Sequence, residues 1–141
     1  MTNKINTPSL DIVGIGNAIV DVLTKTDDSL LERLSFNKGS MTLIDENKAK
    51  ELYEIANNGI QRSGGSVANS LACVAQLGGK AAFIGRVRND KLGKIFTEEI
   101  STTGTSFKTP PSSVGPSTAR CLIFVTPDTQ RTMCTLSLIH I

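Results

Sequence analysis

The chain is short of the residues from which metal centres, disulfide frameworks and hydrolase triads are built. It has three cysteines, Cys73, Cys121 and Cys134, widely separated and without a CxxC pair, and a single histidine, His140. That spacing suggests neither a disulfide scaffold nor a zinc site, and the thiols read as small apolar packing groups. One histidine also removes Ser-His-Asp chemistry, and neither GxSxG nor HExxH occurs. A Walker GxxxxGK[ST] motif is absent, which excludes a P-loop nucleotide site. No run approaches the roughly 18 apolar residues of a membrane span. The opening MTNKINTPSLDI lacks the basic and apolar regions of a secretory signal, so the cytoplasm is the expected compartment and no membrane partner is expected. Fifteen basic and 13 acidic residues are spread without a basic stripe, which argues against nucleic acid as a partner.

What is present is an ordinary core-forming composition: 141 residues, 39% hydrophobic and 20% charged, enough for one domain. The run DIVGIG (Asp11 to Gly16) has the β-branched content of a buried parallel strand ending in a turn. Thr26 and Asp27 cap a short helix through Leu30, Leu31 and Leu34. KGSMTLI (Lys38 to Ile44) alternates like an edge strand. Asp45 opens a helix whose Ala49, Leu52, Tyr53 and Ala56 fall at i, i+3, i+4 and i+7, one apolar stripe on a charged cylinder. NNGIQRSGG reads as a turn, followed by a helix with Val67, Leu71 and Val74 on one face and Gly78-Gly79 as its stop. AAFIGRV is a strand, and Asp90 caps a helix carrying Leu92, Ile95, Phe96 and Ile100, with Gly93 inside it weakening the pattern. Residues 102–116 turn to Ser, Thr, Pro and Gly and read as loop. TARCLIFVTP and RTMCTLS then form a hairpin around Asp128. The order points to an α/β unit with a β excursion, without internal repeats or low-complexity tracts.

Three places could carry chemistry. In GIGNAIVD a strand end presents Asn17 and Asp21, an amide and a carboxylate suited to the vicinal hydroxyls of a sugar. A turn residue and a solvated cap are the plain alternative. The same segment starts a GxGxxG pattern, but Ile19 stands where the third glycine belongs, which argues against a dinucleotide site. In RSGGSVANSLACVAQLGG, Gly64 and Gly65 precede a helix, so the backbone can approach a ligand while first-turn amides face an oxygen-rich group, with Asn69 aimed alongside. A tight turn capped by Ser66, with Asn69 merely exposed, competes with that reading. Arg131, at the start of the second hairpin strand, suits a phosphate clamp, although most surface arginines are only solvated.

In this order GIGNAIVD, SGGSVANSLACVAQLGGKAAFIGRVRNDKLG and STARCLIFVTPDTQRTM resemble the ribokinase/PfkB family of carbohydrate kinases. The resemblance runs from about Asp11 to Thr135 and is strongest to its adenosine kinase-like branch, through KGSMTLID, NSLACVAQLGG and the QRTM hairpin. It implies a ribokinase-like α/β sheet flanked by helices, with a small β lid built from segments at about 38–44 and 118–136. It also implies an ATP-dependent transfer of phosphate to a primary hydroxyl of a nucleoside or sugar, with Mg2+. By the same resemblance Asn17, Asp21, Met41, Gly64, Gly65 and Asn69 would bind the acceptor and Arg131 would clamp the phosphoryl group, and the lid could carry a homodimer. Val67 stands where the family usually has Ala or Pro, and Arg88 where many sugar-kinase members have Gly. The family's second signature, a DTxGAGD-type segment supplying the catalytic base Asp, does not occur in these residues. The chain is therefore expected to be a truncated, N-terminal portion that does not catalyse alone. A non-catalytic sugar- or nucleoside-binding fragment and a ribokinase-type sugar kinase are the alternatives. After Thr135 the likeness fades in LSLIHI.

Overall fold

The computed structural model describes residues 9–56 and 58–137. Most of the opening stretch MTNKINTPSLDI, His140 and the last four residues of LSLIHI lie outside the described residues.

Eight strands and four helices follow in the order β1 (Ile12–Ile15), β2 (Ile19–Lys25), α1 (Asp28–Arg33), β3 (Met41–Leu43), α2 (Glu46–Ile55), β4 (Ile60–Gly64), α3 (Ser66–Gln76), β5 (Ala81–Ile84), α4 (Lys91–Thr102), β6 (Ser106–Phe107), β7 (Ala119–Val125) and β8 (Arg131–Leu136) among the described residues. They make a three-stranded parallel sheet, β1-β5-β6, and a five-stranded mixed sheet, β3-β8-β7-β2-β4. Local chemistry sets the helix starts. Asp27, Asp45 and Asp90 sit in extended backbone and accept from the amides of Leu30, Lys48 and Gly93, each satisfying a donor that the first turn would leave bare.

One hydrophobic cluster joins both sheets. Val20 and Val22 of β2, Leu122 and Phe124 of β7 and Cys134 of β8 point into it. Leu31, Leu52, Leu71 and Phe96 meet them, so every helix turns its apolar stripe to the same side. Phe83, Phe96 and Phe107 form its aromatic centre, with ring centroids 5.4–5.7 Å apart. In the parallel sheet, Gly14 and Phe83 are in register and face inward, and a Cβ at Gly14 would lie 2.6 Å from Val67 of α3.

Several expectations need correction. The DIVGIG strand forms and pairs in parallel with β5, but it is not buried: Val13 and Ile15 are 50% and 57% exposed. Helices cover only one face of its sheet, and it lies at the edge. IVDVLTK continues as β2, the strand after the turn. NNGIQRSGG contains β4 rather than turn alone, antiparallel to β2, and Gly65, not Ser66, is the residue before α3. The loop after α4 holds the two-residue β6. The β excursion therefore gains β2 and β4, with β3 at its edge and β7–β8 as the expected hairpin.

Candidate functional site

Strand alternation decides what Asp21 faces. Val20 and Val22 are fully buried in the cluster, so Asp21 between them points to the opposite face of the five-stranded sheet. There it lies in register with Arg62 of β4 and Cys121 of β7. Arg62 does not pair with it; its guanidinium binds Glu99 of α4 at 2.9 Å. The carboxyl of Asp21 is half-buried, and burial raises its pKa above the usual carboxylate value. Cys121 beside it is buried, which also raises its thiol pKa, and it accepts from the Thr135 hydroxyl at 3.2 Å.

The glycine pair abuts this carboxylate. A Cβ at Gly64 would stand 2.4 Å from Asp21 Oδ2, and one at Gly65 would stand 2.8 Å from the carbonyl oxygen of Asn17. Gly65 also has φ of +98°, a region that L side chains rarely enter. These positions thus let the chain pass directly over Asp21 and Asn17. Asn17 donates through Nδ2 to Ser137 Oγ at 3.2 Å, across 120 residues of sequence. Gly65 gives α3 no side-chain cap, so its first amides remain available to a ligand oxygen. Asn69, one turn in, is exposed, and its own amide bonds Gly65 O at 2.9 Å.

Asn17, Asp21, Gly64 and Gly65 are therefore gathered in one place, with Asn69 one helical turn further on. Met41 and Arg131 are not part of that gathering. Met41 is 57% exposed on the edge strand β3, in register with Met133. Arg131 is exposed and in register with Val125. From strand spacing, its Cα lies on the order of 15 Å from that of Asp21, on the same face. Sequence reasoning missed Ser137, which sits where the family likeness fades, and Arg120. The Arg120 guanidinium is buried under β7, 5.4 Å from the Tyr53 ring centroid, donates to Ser117 Oγ at 2.7 Å and leaves Nε without a partner. Its place after STA on an apolar strand was the available signal.

Comparisons with known proteins decide the family. The profile described as pfkB family carbohydrate kinase matches residues 38–137. The chain belongs to this family. Adenosine kinase from Sinorhizobium meliloti superposes with a TM-score of 0.79 at 46% identity, covering 91% of this chain and 39% of that one. A probable sugar kinase protein from Rhizobium etli gives 0.78 at 44%, covering 89% and 38%. Adenosine kinase from Anopheles gambiae, in complex with P1,P4-di(adenosine-5) tetraphosphate, gives 0.76 at 27%, covering 89% and 38%. A search of curated proteins returned no match. The fold is ribokinase-like α/β, and the chain spans under two-fifths of the length of these solved relatives.

Proposed function

We propose that this chain is the acceptor-binding part of an ATP-dependent phosphotransferase of the cytoplasm, one that adds phosphate to a primary hydroxyl of a nucleoside, adenosine first, or of a sugar. The observation that carries the reading is the half-buried Asp21 carboxylate under the Gly64-Gly65 backbone, which has no hydrogen-bond or ion-pair partner among the described residues. A carboxylate so placed lacks part of its hydration and gains most from neutral hydroxyl donors, which replace water without adding charge. A vicinal diol supplies two such donors. Asn17 orients the same hydroxyls, and the open amides of α3 with Asn69 hold an oxygen on the other side.

Arg131 is the phosphoryl clamp in this reading. It lies on the same face of the same five-stranded sheet as Asp21, so acceptor and phosphoryl group together span the distance between them, and the proposed lid at about 38–44 and 118–136 excludes water when that sheet face closes over the acceptor. Met41 then covers the bound base or sugar. The edge strand β3 is also the natural seam for a homodimer through the lid. Among the described residues no three His, Cys, Asp or Glu side chains cluster as metal ligands, so no Mg2+ ligand set is assigned to this stretch and no step is drawn through the ion. Mg2+ would enter on the phosphates of ATP. No catalytic base is assigned to this chain, and its own contribution is to bind and orient the acceptor. The likeness to a probable sugar kinase keeps a ribokinase-type sugar acceptor as the second reading.

Adenosine, ribose and fructose, each titrated calorimetrically into the 141-residue chain and offered with Mg-ATP to the longest product of its gene, test the proposal. Saturable adenosine binding by the chain and phosphorylation of adenosine by the longer product support it. Preference for a free sugar selects the second reading, and failure of all three acceptors in both assays rejects both.

A further inference from the structure

A cavity of about 330 Å³ opens between the β5–α4 loop and the segment leading into β7, within the roughly 300–1,000 Å³ range of small-molecule sites. Arg86 and Arg88 line it from one side, and Ser112, Gly115, Ser117 and Thr118 from the other. No acidic residue lines it, and neither arginine has a carboxylate partner among the described residues. Two permanent positive charges therefore share one concave space without a carboxylate paired to either.

The hydrogen bonds show which donors remain. Arg86 Nη2 donates to Ser112 Oγ, and Arg88 Nη1 donates to the Gly115 carbonyl. Each guanidinium thus uses one of its five N–H donors to stay in place. The nearby carboxylate of Asp90 is occupied by Thr118 N, Thr118 Oγ1 and Gly93 N at 2.7–2.9 Å. Thr118 Oγ1 donates its hydrogen bond to Asp90 and accepts from Arg88 N. Ser117 Oγ accepts from the buried Arg120 at 2.7 Å, which leaves its own proton to donate. Two arginine forks and a serine hydroxyl, with the one nearby carboxylate, Asp90, already turned to Thr118 and Gly93, suit a tetrahedral dianion.

We propose that the Arg86–Arg88 cavity is a binding site for a phosphate group, with room for the small body of a phosphate monoester. It adjoins the first residue of β7, Ala119, which is in register with Ile19 two residues before Asp21. The site uses none of the residues assigned to the acceptor, and it stands whether or not the chain binds a nucleoside.

Inorganic phosphate and glycerol 3-phosphate, titrated separately into the full chain by calorimetry at constant ionic strength, are the probes. Both should bind saturably. Arg86→Ala and Arg88→Ala should each weaken binding by about tenfold or more, the scale of one lost charge-assisted contact, and Arg33→Ala on α1 should leave it within about twofold. Arg86 is exposed, so a thermal melt of Arg86→Ala should match that of the parent and separate lost binding from lost folding. Tighter binding of the ester shows that the cavity holds the organic body, and equal binding shows that the phosphate group alone is held. Absence of saturable binding, an equal loss in Arg33→Ala, or a loss caused by Arg131→Ala while the Arg86 and Arg88 variants still bind would each overturn the proposal.

Discussion

Asp21 carries opposing demands. Burial raises its pKa, so the proton is held more tightly in the folded chain than in the unfolded one. Its contribution to stability is complete below the unfolded value and is lost as pH rises through the folded value. Asp21→Asn removes that penalty along with the charge. The variant should melt a few degrees higher than the parent at pH 7, and the gap should close as pH falls below about 4. The same variant should bind adenosine about 10- to 100-fold more weakly, the worth of hydrogen bonds to a charged acceptor. Melting scans across pH beside calorimetric titration check both; equal melting and equal binding would remove Asp21 from the site. The sequence made the Asp21 and Asn17 pair visible as polar residues at a strand end. The carboxylate's direction came only with β2, because VDVLTK alternates apolar and polar residues behind a turn that hid where the strand begins. Ser137, the partner of Asn17, lies too far along the chain for local pattern to connect them.

Helices were the most legible elements. Asp45 and Asp90 each stand directly before a periodic apolar stripe, and both cap as read. Gly93, which weakened the pattern of α4, is there for contact: a Cβ would lie 2.0 Å from the Arg88 carbonyl oxygen. Because that atom is backbone, Gly93→Ala must displace the β5–α4 loop, and it should destabilise the fold by about 1–3 kcal/mol in denaturant melts despite alanine's better helix propensity. Strand β4 escaped notice because an edge strand needs little apolar content, and IQRSG has one large apolar residue, Ile60, itself 61% exposed. The turns are tied electrostatically. Lys38 reaches Asp28 of α1 and Asp128 of the β7–β8 turn, both at 2.7 Å. The Lys38 ammonium, with the Thr126 hydroxyl, brings the Asp128 carboxyl down to about 2. Its stabilising effect is therefore present above the ordinary carboxylate value and fades as pH falls through about 2. A carbon-detected titration should give that midpoint for Asp128, and Lys38→Ala should return it toward 3.8.

On the scale of the molecule, all four helices pack to one side and two apolar faces stay open. Val13, Ile15 and Ile84 are 40–57% exposed on the parallel sheet, and Met41, Leu43 and Ile60 are 57–69% exposed on the mixed one. Parallel sheets usually have both faces covered. The isolated 141-residue chain should therefore self-associate at micromolar concentration and bind a hydrophobic dye, which sedimentation velocity and dye fluorescence measure; a clean monomer without dye binding would contradict this. The α/β class was legible because helix and strand patterns alternate, whereas the size of the mixed sheet was not, since β2 finds β7 only across a long stretch of chain. Ile19 pairs with Ala119, one hundred residues later. At a synthesis rate of about 5–20 residues per second, β2 waits about 5–20 s for its parallel neighbour to emerge. Its antiparallel neighbour β4 arrives far sooner, because Leu23 pairs with Ile60. The nascent chain would then close the β2–β4 pair over Asp21 first, and that pair would become the template on which the rest of the sheet is laid as translation proceeds.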